Sequence, residues 1–310
     1  MRRIAVIGVG VTKFGLHDRT SAELFAEAAA DALTDAGIPA GAVQALYYGN
    51  VVGGETEHQL HTGPQAASVL GIPSVPTTRF ETACASSHAA FRHAVMEIAA
   101  GVSDVVMVGG AERVLNVSTA ESTEYFAYAS DAVWEQPLGL TFPGVFALIA
   151  RAHMQKHGTT EAQMAAVAVK NHRHGALNPK AQFQKLITIE QVLKSAYVAD
   201  PLKLFDCCPF SDGGAALVLA SEEVARRHPN HRVAGDRAVA GQRLFPPCAR
   251  VALGTQLLGG NRELAARSAA DGHQLSRARS LEEGADGDRG LSHDRTGSPA
   301  PSRCCRRGCG

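Results

Sequence analysis

The sequence is poor in aromatic residues, with one tryptophan and five tyrosines in 310 residues. It has no charge of one sign to spare: 30 Lys and Arg balance 30 Asp and Glu. Nothing in that balance calls for nucleic acid or an acidic partner. No stretch reaches the roughly 18 consecutive apolar residues of a membrane span. The opening "MRRIAVIGVG" has two arginines and an apolar run, but the run is short and Lys13 follows where small cleavage-site residues belong. It reads as a first β-strand rather than a signal peptide. Seven cysteines, an odd number in irregular places, suggest no disulfide framework. A reducing, cytoplasmic setting is therefore expected.

What is present, up to about residue 234, alternates strand-like and helix-like segments. "RRIAVIGVG" reads as a buried strand. Thr20 and Glu23 have the spacing of a capping box, and Gly37 is placed to end the helix they open. "ALYYGNVVGG" predicts a second strand, "PQAASVLGI" a short helix and "TTRFETA" an extended segment. "SSHAAFRHAVMEIAAG" predicts a helix with Ala89, Ala90, Val95, Met96 and Ile98 on its apolar side, and "SDVVMVGGAE" a further strand. This order implies an α/β fold of βαβ units, with a mixed or parallel sheet covered by helices. Residues 112–200 read as a more irregular insertion that contains Trp134. "PFSDGGAALVLASEEVARR" then reads as a glycine turn, a strand and a helix start.

Beyond residue 234 the pattern stops. No lysine follows Lys203, no isoleucine follows Ile189, and Phe245 is the one aromatic residue after position 234. Arg, Gly, Ala and Ser dominate without period 2 or 3.6, a composition that favours disorder. Two origins fit: a natural basic tail, or a stretch read in the wrong frame of a GC-rich gene. The abruptness of the change favours the second.

Cys84 in "FETACASSHAAF" ends an extended segment and precedes a helix. Unpaired N–H groups at a helix N-terminus favour an anion, which suits a nucleophilic thiolate. The plain alternative is a small buried structural cysteine. Here the sequence resembles a family. "ETACASSHAA" followed by "DVVMVGGAERV" is similar to the nucleophile region of thiolases, in particular the sterol-carrier-protein type. "GLTFPGVFALIARAHMQKHGTTEAQMAAVAVKNHRHGALNPKAQF" resembles the loop domain of that subfamily, and "PLKLFDCCPFSDGGAALVLAS" the segment closing its N-terminal half. Together these cover nearly all of residues 2–234.

The resemblance implies a thiolase-like fold, a layered mixed sheet with helices, with a complete N-terminal half over residues 1–234, a loop-domain insertion over about 112–200, and an incomplete second half. It implies that Cys84 attacks an acyl-CoA and holds the acyl group as a thioester. Condensation or cleavage with a second thioester or free coenzyme A would follow. Splitting one hard step in two is the use of such a nucleophile. No bound cofactor is implied; coenzyme A thioesters are substrates. A homodimer is expected of the intact family member, with a small OB-fold protein or a synthase as a possible further partner.

The family's other catalytic groups come from its C-terminal half: a Gly-His-Pro histidine, an oxyanion-hole stretch and a late cysteine. None of these motifs is present. His273 follows Gly272 without a proline, and His293–Asp294 lacks the Cys-Phe that would follow. Impaired turnover is expected, and the reading from another class is a non-catalytic scaffold subunit or a pseudogene product.

Other features carry two readings each. Gly8 and Gly10 invite a dinucleotide fingerprint, but Lys13 stands where its third glycine belongs, so turn glycines at a strand end are expected instead. His58 and His61 lack a third ligand of suitable spacing, so no metal site is expected. Lys170, Asn171 and His172 in "VKNHRHGALNP" are candidates to contact coenzyme A, or simply a solvated helix end. His88 stands one turn after Cys84 and could tune the thiol or only pack. Adjacent Cys207 and Cys208 read as small packed residues before a turn.

Overall fold

The computed structural model describes residues 2–228. The expectations for residues 235–310, including His273, His293 and Asp294, lie outside the described residues. In chain order the elements are β1 (Ile4–Val11), α1 (Ser21–Ala36), β2 (Ala45–Gly49), α2 (Gly53–Thr56), α3 (Thr62–Val69), β3 (Thr77–Phe80), α4 (Ser86–Ala100) and β4 (Val105–Glu112). Then come α5 (Thr119–Ala127), α6 (Phe142–His157), α7 (Glu161–Gly175), α8 (Ile189–Lys194), β5 (Tyr197–Ala199), β6 (Leu202–Lys203), β7 (Gly213–Ser221) and α9 (Glu222–Ala225).

Five strands form one sheet in the order β1-β7-β4-β2-β3, and β5 pairs with β6 separately. β2 is parallel to both β3 and β4, whereas β7 runs antiparallel to its neighbours β1 and β4. The sheet is therefore mixed, and the α/β expectation holds. Alternation along the strands divides the core between the two faces. Leu46, Tyr48, Met107 and Val218 pack with α1 and α3 residues such as Leu24, Phe25, Ala28 and Ala67. Ala45, Val106, Val108 and Leu219 pack with Ala90, Ala94 and Ile98 of α4. Within α4 the expected apolar side is partly corrected: Ala90 and Ile98 are buried, but Met96 is half exposed at 49%.

The ends of α1 form as their sequence dictates. The Thr20 hydroxyl accepts the Glu23 N–H, the Glu23 carboxylate accepts the Thr20 N–H, and Gly37 closes the helix in the left-handed region.

Gly8 and Gly10 are not turn residues at a strand end. They lie inside β1, where α1 crosses at backbone contact. A Cβ on Gly8 would sit 2.1 Å from the Ala32 carbonyl oxygen, and one on Gly10 1.9 Å from that of Ala28. Neither the dinucleotide reading nor the turn reading anticipated this; the packing partner lies about one helix further along the chain.

After β4 the chain leaves the sheet and returns at β7. The segment between them holds α5 to α8 and β5–β6. It has its own small buried cluster of Ala165, Ala168 and Val192. Lys203 in this segment is buried, paired with Glu161, and lies over the Tyr197 ring at 4.9 Å. Gly213 and Gly214, expected as a turn, are the first residues of β7.

Candidate active site

Cys84 lies on the turn between β3 and α4, and its side chain is exposed. The turn is tightly determined. Ala83 adopts φ 47°, a left-handed conformation costly for a residue with a Cβ. The Ser86 hydroxyl holds that conformation, donating to the Ala83 carbonyl at 2.7 Å and accepting the Thr82 N–H at 3.0 Å. The Glu81 carboxylate accepts the Ala83 N–H at 2.6 Å. Further N–H bonds run from Ala85 to the Thr82 carbonyl and from Ser86 to the Ala83 carbonyl.

The 15-residue helix α4 starts two residues after Cys84, and no acidic side chain occupies its first turn. Its first turn thus brings no carboxylate of its own to the positive end of the helix. Gly49, at the end of β2, lets this helix end approach: a Cβ there would meet the Ser87 N at 3.1 Å.

Cys84 opens into a cavity of about 350 Å³ between the ends of β2, β4 and β7 and the start of α4. Glycine backbone from these strand ends, together with Phe14, forms much of the wall. Small residues here leave room for a substrate close to main chain. Among the described residues lining the cavity, the titratable side chains are Cys84 and Glu112, and none is a histidine.

Glu112 terminates β4 and was not singled out by the sequence reading. A lone acidic residue ending the apolar strand "VVMVGGAE" was the available signal. Burial pushes its carboxyl up to about 7, against the opposing hydrogen bonds from the Val51 and Val52 N–H groups and the nearby Arg79 charge. Its Oε2 also accepts a bond from Asn50 Nδ2 at 3.1 Å. Asn50 is itself buried, donating to the Ala111 carbonyl at 2.9 Å and accepting the Gly53 N–H at 3.2 Å.

A second carboxylate, Asp212, is fully buried just before β7. It accepts N–H bonds from Val114 at 2.7 Å, Leu115 at 2.8 Å and His17 at 3.1 Å. It thereby pins two loops to the sheet end that carries the cavity. Three donors satisfy it, which marks it as structural.

The other sequence candidates are placed elsewhere. Lys170, Asn171 and His172 lie in the second half of α7, and none lines the Cys84 cavity. Lys170 and Asn171 face solvent, while His172 bonds through Nδ1 to the Lys185 carbonyl oxygen at 3.0 Å and meets the Phe205 ring edge-on. His88 is exposed in the first turn of α4. His58 and His61 are exposed, and among the described residues no three potential metal ligands come together. Cys207 is half-buried, which pushes its thiol up, while Cys208 is exposed. No described helix is long and apolar enough to cross a membrane.

Comparison with known proteins decides the family, for residues 4–223 match the thiolase N-terminal domain. The chain belongs to the thiolase family. It is 43% identical over 229 residues to the acetyl-CoA acetyltransferase of Methanothermobacter thermautotrophicus, covering 74% of this chain and 59% of that protein. It is 36% identical over 239 residues to sterol carrier protein 2 of Gallus gallus, covering 73% of this chain and 43% of that protein. The chain thus spans less than two thirds of the length of these two relatives. Among solved structures, an Ltp2-ChsH2(DUF35) aldolase superposes with a TM-score of 0.58 at 32% identity, covering 73% of this chain and 58% of that one. Human mitochondrial 3-ketoacyl-CoA thiolase in complex with CoA superposes with a TM-score of 0.60 at 18% identity, over 73% of this chain and 66% of that one, a likeness of fold.

Proposed function

We propose that this chain carries the acylation half of a thiolase, with Cys84 as the nucleophile that takes an acyl group from a coenzyme A thioester. The observation that carries the reading is the seat of Cys84: an exposed thiol, on a turn with a left-handed Ala83, at the start of α4 whose first turn holds no acidic residue, opening into a cavity walled by glycine backbone. The thiolate attacks the thioester carbonyl carbon, the tetrahedral oxyanion collapses, and coenzyme A thiolate leaves to take up a proton. The acyl group is then held as a Cys84 thioester. The likeness to acetyl-CoA acetyltransferases supports acetyl-CoA and related thioesters as substrates, with free coenzyme A as the proposed returning acceptor.

The carbon–carbon step needs a base for the α-carbon and donors for a second oxyanion. The sequence contains no Gly-His-Pro stretch, and no described residue lining the cavity is a histidine. Each such missing group costs roughly 100-fold or more. The chain is therefore proposed to acylate but to turn over poorly in condensation or thiolysis. Incubation with acetyl-CoA, followed by peptide mapping and a thiolysis assay, tests both parts. Acyl-Cys84 with little thiolysis supports the reading, and brisk thiolysis overturns the impairment.

A second reading is a non-catalytic scaffold subunit; the likeness to an Ltp2-ChsH2(DUF35) aldolase supports only its partner, a small protein working beside this chain. A Cys84 that stays unacylated at high acetyl-CoA favours that reading. For an intact relative the proposed assembly is a homodimer, and the proposed setting is the cytoplasm. Lys170, Asn171 and His172 remain proposed contacts for coenzyme A.

A further inference from the structure

The turn of residues 50–52 forms one wall of the Cys84 cavity through Asn50 and Val51, and it is gripped from two sides. On one side Arg79 of β3 donates to its carbonyls: Nε to the Asn50 oxygen at 3.2 Å and Nη2 to the Val51 oxygen at 2.9 Å. On the other side Glu112 of β4 accepts the N–H groups of Val51 and Val52 and the Asn50 side-chain amide. A cation thus holds the carbonyls and a carboxylate holds the N–H groups of one short turn. The strand order brings the two together, because β2, which leads into the turn, lies between β3 and β4.

We propose that Glu112 is a positioning residue for acylation at Cys84, its carboxylate fixing the 50–52 turn, with Arg79 as counter-clamp, in the shape that admits the thioester. The inference rests on the reading of Cys84 as an acyl acceptor. Two N–H donors and an amide converge on the carboxylate, an arrangement that an anionic acceptor satisfies better than a protonated one, whose O–H adds a donor among donors and whose remaining lone pairs accept more weakly. The charged and titratable groups around Glu112 are Arg79 of β3, which favours its charge, Glu57 after α2, which opposes it, and the buried Tyr48 hydroxyl of β2. Burial holds its titration near 7, so both forms are populated around neutrality.

Separating the turn from the thiol requires a ratio. Alkylation of Cys84 by iodoacetamide and its acylation by acetyl-CoA both proceed through the thiolate, so dividing one rate by the other cancels the thiol's own titration. The small alkylating agent makes little demand on the cavity wall. With a carboxyl titrating near 7, the ratio of acylation to alkylation in the 310-residue chain is expected to rise about tenfold from about pH 6 to about pH 8. In the Glu112→Gln variant the ratio is expected to be lower and flat with pH. A flat ratio in the wild-type chain, or the same rise in the variant, overturns the proposal.

Amide hydrogen exchange at Val51 and Val52, corrected for intrinsic pH dependence, reads the clamp without any acyl donor. Protection that rises through neutrality in the wild-type chain and not in Glu112→Gln supports the clamp. Protection independent of pH in both overturns it. If no acylation occurs at any pH, the reading of Cys84 fails by itself and exchange still decides the clamp.

Discussion

Replacing Gly10 by alanine tests the packing that sets this half of the fold. The added Cβ would lie 1.9 Å from the Ala28 carbonyl oxygen and 2.7 Å from the Ala32 nitrogen. Both are backbone atoms of α1, so no side chain can swing aside. A tolerable carbon–oxygen contact is about 3.3 Å, so α1 must retreat by about 1.4 Å. That helix buries Leu24, Phe25, Ala28, Ala29, Ala32 and Leu33, and lifting it opens gaps along the whole interface. Overpacking costs about 1–3 kcal/mol when neighbours relax, and here the upper end applies. For a domain of this size about 3 kcal/mol lowers Tm by roughly 6–12 °C. Gly41→Ala is the control, since nothing lies within 4 Å of the position its Cβ would take. Thermal and urea unfolding followed by circular dichroism measure both. A Gly10→Ala protein that melts within about 1 °C of wild type, a shift worth well under 1 kcal/mol, refutes the argument.

Three further predictions concern stability. Thr20→Ala removes the hydroxyl that accepts the Glu23 N–H, one of the two bonds of the α1 capping box, and is expected to cost about 1 kcal/mol in urea unfolding. Asp212→Ala leaves the buried Val114 N–H and the half-buried Leu115 and His17 N–H groups without their acceptor and is expected to cost about 2–3 kcal/mol, with proteolysis appearing first near residue 115. Glu112 has its folded-state carboxyl raised from 4.5 to about 7, so between those values the folded chain binds more protons than the unfolded one. Its contribution to stability is therefore present at the acid end and lost as pH rises toward 7, by at most about 3 kcal/mol. Urea midpoints from about pH 5 to about pH 7.5 should fall through this contribution in wild type and not in Glu112→Gln. A steeper fall in the variant would contradict it.

Ionised Glu112 is thus the form that destabilises the fold and, on the clamp proposal, the form that serves acylation. Such a conflict is expected where a site is held by a buried charge.

How much of this was legible in the residues depends on how far the cause lies along the chain. The α1 capping box and its glycine end were read directly, because both partners sit within one turn. The junction at Cys84 was read from the change of period between "TTRF" and "SSHAAF", together with the family likeness. The mixed character of the sheet comes from the family likeness alone, because nothing local in the residues marks β7 as antiparallel to β1 and β4. Met96 was expected on the apolar side of α4 because periodicity marks a stripe and not its edges. Gly8 and Gly10 were misassigned because their need arises from a helix crossing them, not from their own turn. Glu112 escaped notice for the same reason: its environment comes from three separate strands and the turns that follow them. No pattern of spacing encodes that.

The most direct test of the account is the mass of the 310-residue chain after incubation with acetyl-CoA, with peptide mapping of the adduct, in wild type and in Cys84→Ser. The account predicts one acetyl group on the peptide containing Cys84 and none in the variant. An unmodified Cys84, or an adduct that persists in the variant on exposed Cys208, would contradict it.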